Sequence, residues 1–198
     1  MSVESLTDQR TTYGRHGVCT LPSLIEPALY TFLMDYLNLR GHADALAADV
    51  QVVGSTVLYG DPAFDTVLGR LAGKLSAVVG VPLLPTYSFV RVYRAGQQLV
   101  PHTDRSACEH SVTVHLGSSS QASWPISVTT LDGLTHAVPL APGDGLGYRG
   151  SAVRHWRDVC RHEWYAQLFL HYVEANGQHR SQVFDGRDYL GLPREAEA

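Results

Sequence analysis

The sequence predicts a β-rich α+β chain, with N-terminal helices packed outside a sandwich or double-sheet jelly roll. Three observations carry this. From Tyr87 onward, short β-rich runs alternate with turn signals at intervals of roughly 8–12 residues, the rhythm of a jelly roll. Before Tyr87, apolar residues recur at helical spacing in two stretches. And 198 residues, 44% apolar and 17% charged, suit one folded domain with a real core, not a disordered chain.

Taken in order, residues 1–20 read as a loose N-terminal segment, polar and without period up to about residue 17. Ser23-Leu24-Ile25-Glu26 has the form of a capping box. Ile25, Leu29, Phe32, Leu33, Tyr36 and Leu37 then follow at helical spacing to about Arg40, and Gly41 ends the run. Residues 50–58 have strand character. Asp61-Pro62 supplies an N-cap and a first-turn proline for a second helix of about 18 residues by period. Gly80 and Pro82 stop it. Residues 21–85 are thus a helical flank. Residues 86–175 are the jelly-roll core, with strands expected at 87–94, 111–117, 124–131, 136–140 and 164–173. Turns fall at Gly96, Asp132-Gly133 and Pro142–Gly145. Residues 176–198 read as a tail with a disordered acidic end.

The bulk properties narrow the function classes. A net charge of -4 and a pI near 6.2 give no reason to expect nucleic acid or an anionic membrane as partner. No run of 18 apolar residues is present, and MSVESLTDQR lacks the basic and apolar regions of a signal peptide. Cys19, Cys108 and Cys160 are odd in number and unrelated in spacing, which argues for a reducing, cytoplasmic setting over a disulfide framework. No CxxC pair suggests structural zinc.

The chemistry centres on residues 91–104, RVYRAGQQLVPHTD. Residues two apart on a strand share a face, so His102 and Asp104 point together. They supply two thirds of a facial 2-His-1-carboxylate site, which binds Fe(II) with open positions. A bare HxD is weak, since roughly 0.6 such triplets are expected by chance at this composition. His42-Ala43-Asp44 is a second one, without strand context, and reads as a surface turn. The best third ligand is His155, in SAVRHWR before the last long strand. His171 is its rival near the end of that strand. His110 and His115 lie too close in sequence to return easily. His136 sits beside a hairpin turn, and His162 is read as loop.

Tyr93-x-x-Gly96-Gln97-x-x-x-Pro101-His102-x-Asp104, followed by Pro142-Gly143-Asp144 and His155, resembles the signature of the prolyl-4-hydroxylase-like 2-oxoglutarate/Fe(II) dioxygenases over roughly residues 87–173. The resemblance implies a double-stranded β-helix with Fe(II) on His102, Asp104 and His155. 2-Oxoglutarate would chelate through its keto and C1 carboxylate oxygens, with O2 as the last co-substrate. Succinate and CO2 would be released as an unactivated C–H bond of a small molecule or an amino-acid or peptide side chain is hydroxylated. Desaturation and ring closure are open to the same oxidant. Related halogenases carry a small residue where Asp104 stands, which frees a position for chloride.

One departure matters. The resembled family has Lys or Arg nine or ten residues after the distal histidine, to pair the far carboxylate of 2-oxoglutarate. Trp164 and Tyr165 stand there. A buried carboxylate needs a partner. Tyr93 is implied by the resemblance. Arg157 shares a strand face with His155, Arg91 shares one with Tyr93, and Gln167 lies on the final strand. Arg105, Arg154 and Arg161 are nearby, and a single arginine is most often a solvated or salt-bridged charge. Trp156 and Trp164 read as core or pocket walls, and Cys108-Glu109 as a turn or a substrate contact. The alternative of another class is a cupin-like sugar- or zinc-binding module without oxygenase activity.

Overall fold

A computed structural model describes residues 5–43 and 45–193. In chain order the elements are α1 (Leu6–His16), β1 (Val18–Leu21), α2 (Pro27–His42), β2 (Ala47–Ala48), β3 (Thr56–Tyr59) and α3 (Pro62–Val79). There follow β4 (Leu83–Arg94), β5 (Leu99–His102), β6 (His110–Ser118), β7 (Ile126–Thr129), β8 (Thr135–Val138), β9 (Gly145–Tyr148), β10 (Arg154–Arg157) and β11 (Trp164–Glu174). Short 3-10 segments cover Ser106–Cys108 and Arg180–Gly186. The strands form a seven-stranded sheet, β1-β9-β6-β11-β4-β3-β2, and a four-stranded sheet, β5-β10-β7-β8. All their pairings are antiparallel. This is the expected jelly roll.

The period-2 alternation of the long strands divides the large sheet into two faces of different character. Val90 and Val92 on β4, Val112, Val114 and Leu116 on β6, and Leu168, Leu170 and Tyr172 on β11 join one apolar cluster. That cluster also contains Leu33 and Leu37 of α2 and Phe64, Val67, Leu68, Leu75 and Val78 of α3. The main hydrophobic core therefore lies between helices and sheet. The alternate residues are Arg91 and Tyr93, Ser111, Thr113 and His115, and Gln167 and His171. They are buried too, but polar. A buried polar layer is costly unless its groups are paired or used, so it is this layer that positions the site.

Four features differ from the sequence reading. Residues 6–16 are not loose: α1 is closed by a capping box in which Ser5 and Asp8 bond reciprocally. The segment 1–20 also contributes β1 to the large sheet. Ser23 does not cap α2. It takes φ 47°, its N–H donates to Asp144 Oδ1 at 2.7 Å, and the helix starts at Pro27, whose fixed φ suits the first turn. Gly41 lies within α2, which runs on to His42. Of 50–58 only Thr56–Tyr59 is strand, because the Asp49 carboxylate draws in Gln51 N and Ser55 Oγ (2.8 and 2.9 Å) and turns the chain. The tail is also ordered through its first half. Asp185 is buried and takes both Nη atoms of Arg105 at 2.8 Å, while Arg187 is buried against Asp65 at 2.7 Å. Apart from Pro193, the acidic end at 193–198 lies outside the described residues, as does Asp44 of the second HxD.

Candidate metal centre

His102 closes β5, and its Cα partner across to β10 is His155. The two imidazoles lie side by side, with ring centroids 4.3 Å apart. Each points its Nδ1 at the carbonyl two residues back on its own chain, Val100 O for His102 (2.8 Å) and Val153 O for His155 (3.0 Å). A carbonyl only accepts, so both rings carry a proton on Nδ1, and each would offer its Nε2 lone pair once a metal displaces any proton there. Both Nε2 atoms lie 3.5 Å from Asp104 Oδ1. One ligand atom from each residue therefore falls within 4.8 Å of the others.

Asp104 is held by a tight turn. Its N–H donates to Gly150 O at 2.8 Å. A Cβ at Gly150 would meet Cys108 O at 2.1 Å and Asp104 Oδ2 at 2.6 Å, so only glycine allows this approach. Oδ2 accepts from Ser111 Oγ at 3.1 Å, and Ser111 Oγ is 2.9 Å from His171 Nδ1. Burial would raise the Asp104 carboxyl, but hydrogen bonds from His102 and His155 outweigh it and hold the group well below the usual carboxylate range. Burial likewise opposes charge on His102, and the Asp104 hydrogen bond overcomes it, moving that pKa up. Burial pushes His171 down to about 4, so it is neutral at neutral pH.

The other residues of the RVYRAGQQLVPHTD stretch have physical jobs as well. Gly96 turns β4 into β5 at φ 87°. Gln97 ties that turn down: Oε1 accepts from Arg94 N (2.7 Å), and Nε2 donates to Val53 O (3.2 Å). Pro101 is tolerated because β5 is an edge strand.

No family model matches the sequence, and no curated protein matches it. Solved structures do. A Pseudomonas putida prolyl-4-hydroxylase superposes with a TM-score of 0.70 at 16% identity, over 86% of this chain and 99% of that one. The 2-oxoglutarate-dependent epimerase SnoN of nogalamycin biosynthesis gives 0.73 at 14%, over 86% and 83%. The carbocyclase SnoK of the same biosynthesis gives 0.71 at 13%, over 100% and 98%. The fold is that of the 2-oxoglutarate/Fe(II) oxygenases.

Within this oxygenase fold the co-substrate candidates separate. A cavity of about 240 Å³ opens on His102, Asp104 and His155, with Arg91, Phe89, Phe169 and His171 on its walls. Arg91 is committed: Nε pairs with Asp49, Nη2 donates to Gln51 Oε1 (2.7 Å) and Nη1 to Tyr93 OH (3.2 Å). Arg157 is 1% exposed, lies deeper behind Tyr93 and Trp124, and is not on the cavity wall. Its Nη1 donates to Trp124 O at 2.5 Å, while Nε and Nη2 have no hydrogen-bond partner among the described residues. Gln167 donates to Thr113 Oγ1 at 2.5 Å, and its Oε1 is likewise unpartnered. Tyr165 faces inward, its ring 5.2 Å from the Arg157 guanidinium carbon, and Trp164 packs outward toward Met34.

Sequence reasoning passed over three residues here. Ser111 and Gly150 had no motif to mark them. His171 was weighed only as a metal ligand, yet it serves a ligand instead: its ring supports Ser111, and Ser111 bonds Asp104. Cys108 touches neither His102 nor His155. Its thiol is buried against Tyr87 OH (3.1 Å) and pushed up to about 12 by that burial.

Proposed function

We propose that this chain is a non-haem Fe(II)/2-oxoglutarate-dependent oxygenase that oxidises a C–H bond of a small molecule or a peptide side chain. His102, Asp104 and His155 are the metal ligands in this reading, and hydroxylation is the reaction. One observation carries it. Two histidine Nε2 lone pairs, each fixed by an Nδ1–H bond to the residue's own chain, converge on one ionised carboxylate oxygen. Three ligands on one face suit a metal that must keep positions open for exchangeable partners. Metal binding requires both imidazoles neutral, so it releases any proton His102 holds.

The bound metal would supply the oxidative decarboxylation of 2-oxoglutarate to succinate and CO2 at the expense of O2. The protein's part is placement. Ser111 fixes the Asp104 carboxylate through Oδ2 and leaves Oδ1 toward the histidines. In this reading the far carboxylate reaches past the cavity wall to Arg157 and Tyr93, meeting the two Arg157 nitrogens that have no hydrogen-bond partner among the described residues. Gln167 and Arg91 take supporting places: Gln167 beside that pocket, and Arg91 holding the Tyr93 hydroxyl. The neighbours in the same fold make both substrate classes reasonable. One SnoN structure holds Fe3+, α-ketoglutarate and a nogalamycin derivative, and a Trichoplax adhaerens prolyl hydroxylase holds a peptide fragment.

Anaerobic addition of Fe(II) and 2-oxoglutarate should give a weak visible charge-transfer band. The band should be absent in His102→Ala, and air should then convert 2-oxoglutarate to succinate. A band that survives His102→Ala, or none in the unaltered protein, overturns the reading in favour of a non-catalytic metal- or sugar-binding sandwich.

A further inference from the structure

We propose that His171 reads a hydrogen-bond donor on the substrate, an uncharged hydroxyl, amide or ring N–H carried on a flat apolar frame. The proposal rests on the oxygenase reading and names what its cavity selects.

Ser111 fixes the tautomer of His171. Its single hydroxyl proton goes to Asp104 Oδ2 (3.1 Å) or Cys108 O (3.3 Å), and both oxygens only accept. His171 Nδ1, 2.9 Å away, must therefore be the donor to Ser111 Oγ. The proton of this neutral ring is thus on Nδ1, and Nε2 is a bare lone pair. His171 lines the cavity, and its Nε2 has no hydrogen bond among the described residues. The residue that carries this acceptor thus borders the space beside the metal ligands.

The walls around it set the rest of the ligand. The Tyr87 ring centroid is 4.6 Å from the His171 ring, and Phe169 lies parallel to it at 6.4 Å. Phe89 stands 6.2 Å from Phe169 across β4 and β11. Such surfaces favour planar apolar groups. The charges on the wall are already committed: Arg91 to Asp49, and Asp104 to the metal it would ligate in the proposed reading. No unpaired charge is left to reward a charged substrate group, which would be costly to bury. The Ser111–His171 link also joins the two functions. The hydrogen-bond chain that orients the metal ligand Asp104 fixes the tautomer that reads the substrate.

The probes are indole and benzofuran, equal in shape, with an N–H in one where the other has an acceptor oxygen. Binding is measured by NMR titration of the full chain loaded anaerobically with Fe(II) and 2-oxoglutarate. It is repeated on the Zn(II)-loaded protein, where the unprotonated His171 Nε2 resonance is followed after 15N-histidine labelling. Indole should bind about fivefold to tenfold tighter than benzofuran, the worth of one neutral hydrogen bond. Only indole should shift the Nε2 resonance. His171→Leu should bind both equally, and a thermal melt checks that the variant is folded. Equal affinities in the unaltered protein, a preference that survives His171→Leu, or an Nε2 resonance unmoved by indole each overturns the proposal. The charge-transfer band reports on the oxygenase reading separately. A normal band with no indole preference sinks this inference alone.

Discussion

Replacing Arg157 with methionine should weaken 2-oxoglutarate binding while leaving the ligand-free protein as stable as before, or more so. Two of its three guanidinium nitrogens are buried without a hydrogen-bond partner among the described residues. An unsatisfied buried polar group costs about 1–3 kcal/mol, more when charged. Contact with the Trp124 and Tyr165 rings, 4.9 and 5.2 Å from the guanidinium carbon, offsets part of this cost. Methionine keeps an unbranched apolar stem against those rings and removes the unpaired donors. It gives up one hydrogen bond, to Trp124 O.

With the co-substrate bound, the balance reverses. Charge-assisted hydrogen bonds are worth about 1.5–3 kcal/mol each, so losing two should cost about 3 kcal/mol or more, roughly 100-fold in Kd. Titration of the anaerobic charge-transfer band gives the Kd. Thermal melts with and without 2-oxoglutarate give the stability. At 100 times its Kd the co-substrate stabilises the unaltered protein by about 2.7 kcal/mol, and the same concentration should barely move the variant. A variant that melts many degrees lower yet binds 2-oxoglutarate normally would refute the reasoning and make Arg157 a structural residue.

Three further outcomes are expected. Ser111→Ala should lower metal affinity by about 10-fold, the usual cost of losing a hydrogen bond behind a ligand, as read by competition with a metal indicator. Arg187→Met should destabilise the chain by about 3 kcal/mol in urea unfolding, because it removes the buried cationic partner of Asp65 and leaves that side chain only its hydrogen bonds from Ser88 and Gly191. Stability of the metal-free protein should fall as the pH drops below about 6.5. Burial lowers the folded-state pKa of His110, His115, His162 and His171, the last to about 4. The unfolded chain then takes up protons that the folded chain refuses, so stability is full above 6.5 and lost progressively toward 4. His110→Gln should flatten that slope, as followed by melts across pH.

The legible part of this protein is the part built from short-range rules. The strand alternation, the Asp61-Pro62 start of α3 and the glycine turn at Gly96 are local, and each appears as read. His102 and His155, singled out by resemblance to a known pattern, lie side by side although they are far apart in sequence. What stayed hidden was carried by pairings between distant segments. α1 has little apolar periodicity, and only Ser5 and Asp8 at capping-box spacing could have announced it. The pairs Arg187–Asp65, Arg105–Asp185 and Arg91–Asp49, each with its carboxylate buried, join residues 42 to 122 positions apart. No local window shows which charge will be buried. The same blindness explains Ser23: a good local cap lost to Asp144, which lies 121 residues away.

If Arg157 anchors the far carboxylate as proposed, a fold can keep a function while moving its residue. In the resembled family the cation comes from the last long strand, in the large sheet. Here the inward position on that strand is Tyr165, and in the proposed reading the cation would come instead from Arg157 on β10, in the small sheet opposite. The sheets face each other across one interior, so side chains from either can reach the same space. Two positions past His155 is the nearest inward site on its own strand, which ties the anchor to the distal metal ligand. A double exchange, Arg157→Tyr with Tyr165→Arg, should then restore much of the 2-oxoglutarate affinity that Arg157→Tyr alone destroys. If the exchange recovers nothing, the cation must come from β10 for a reason other than charge, and the pocket is shaped around Arg157 itself.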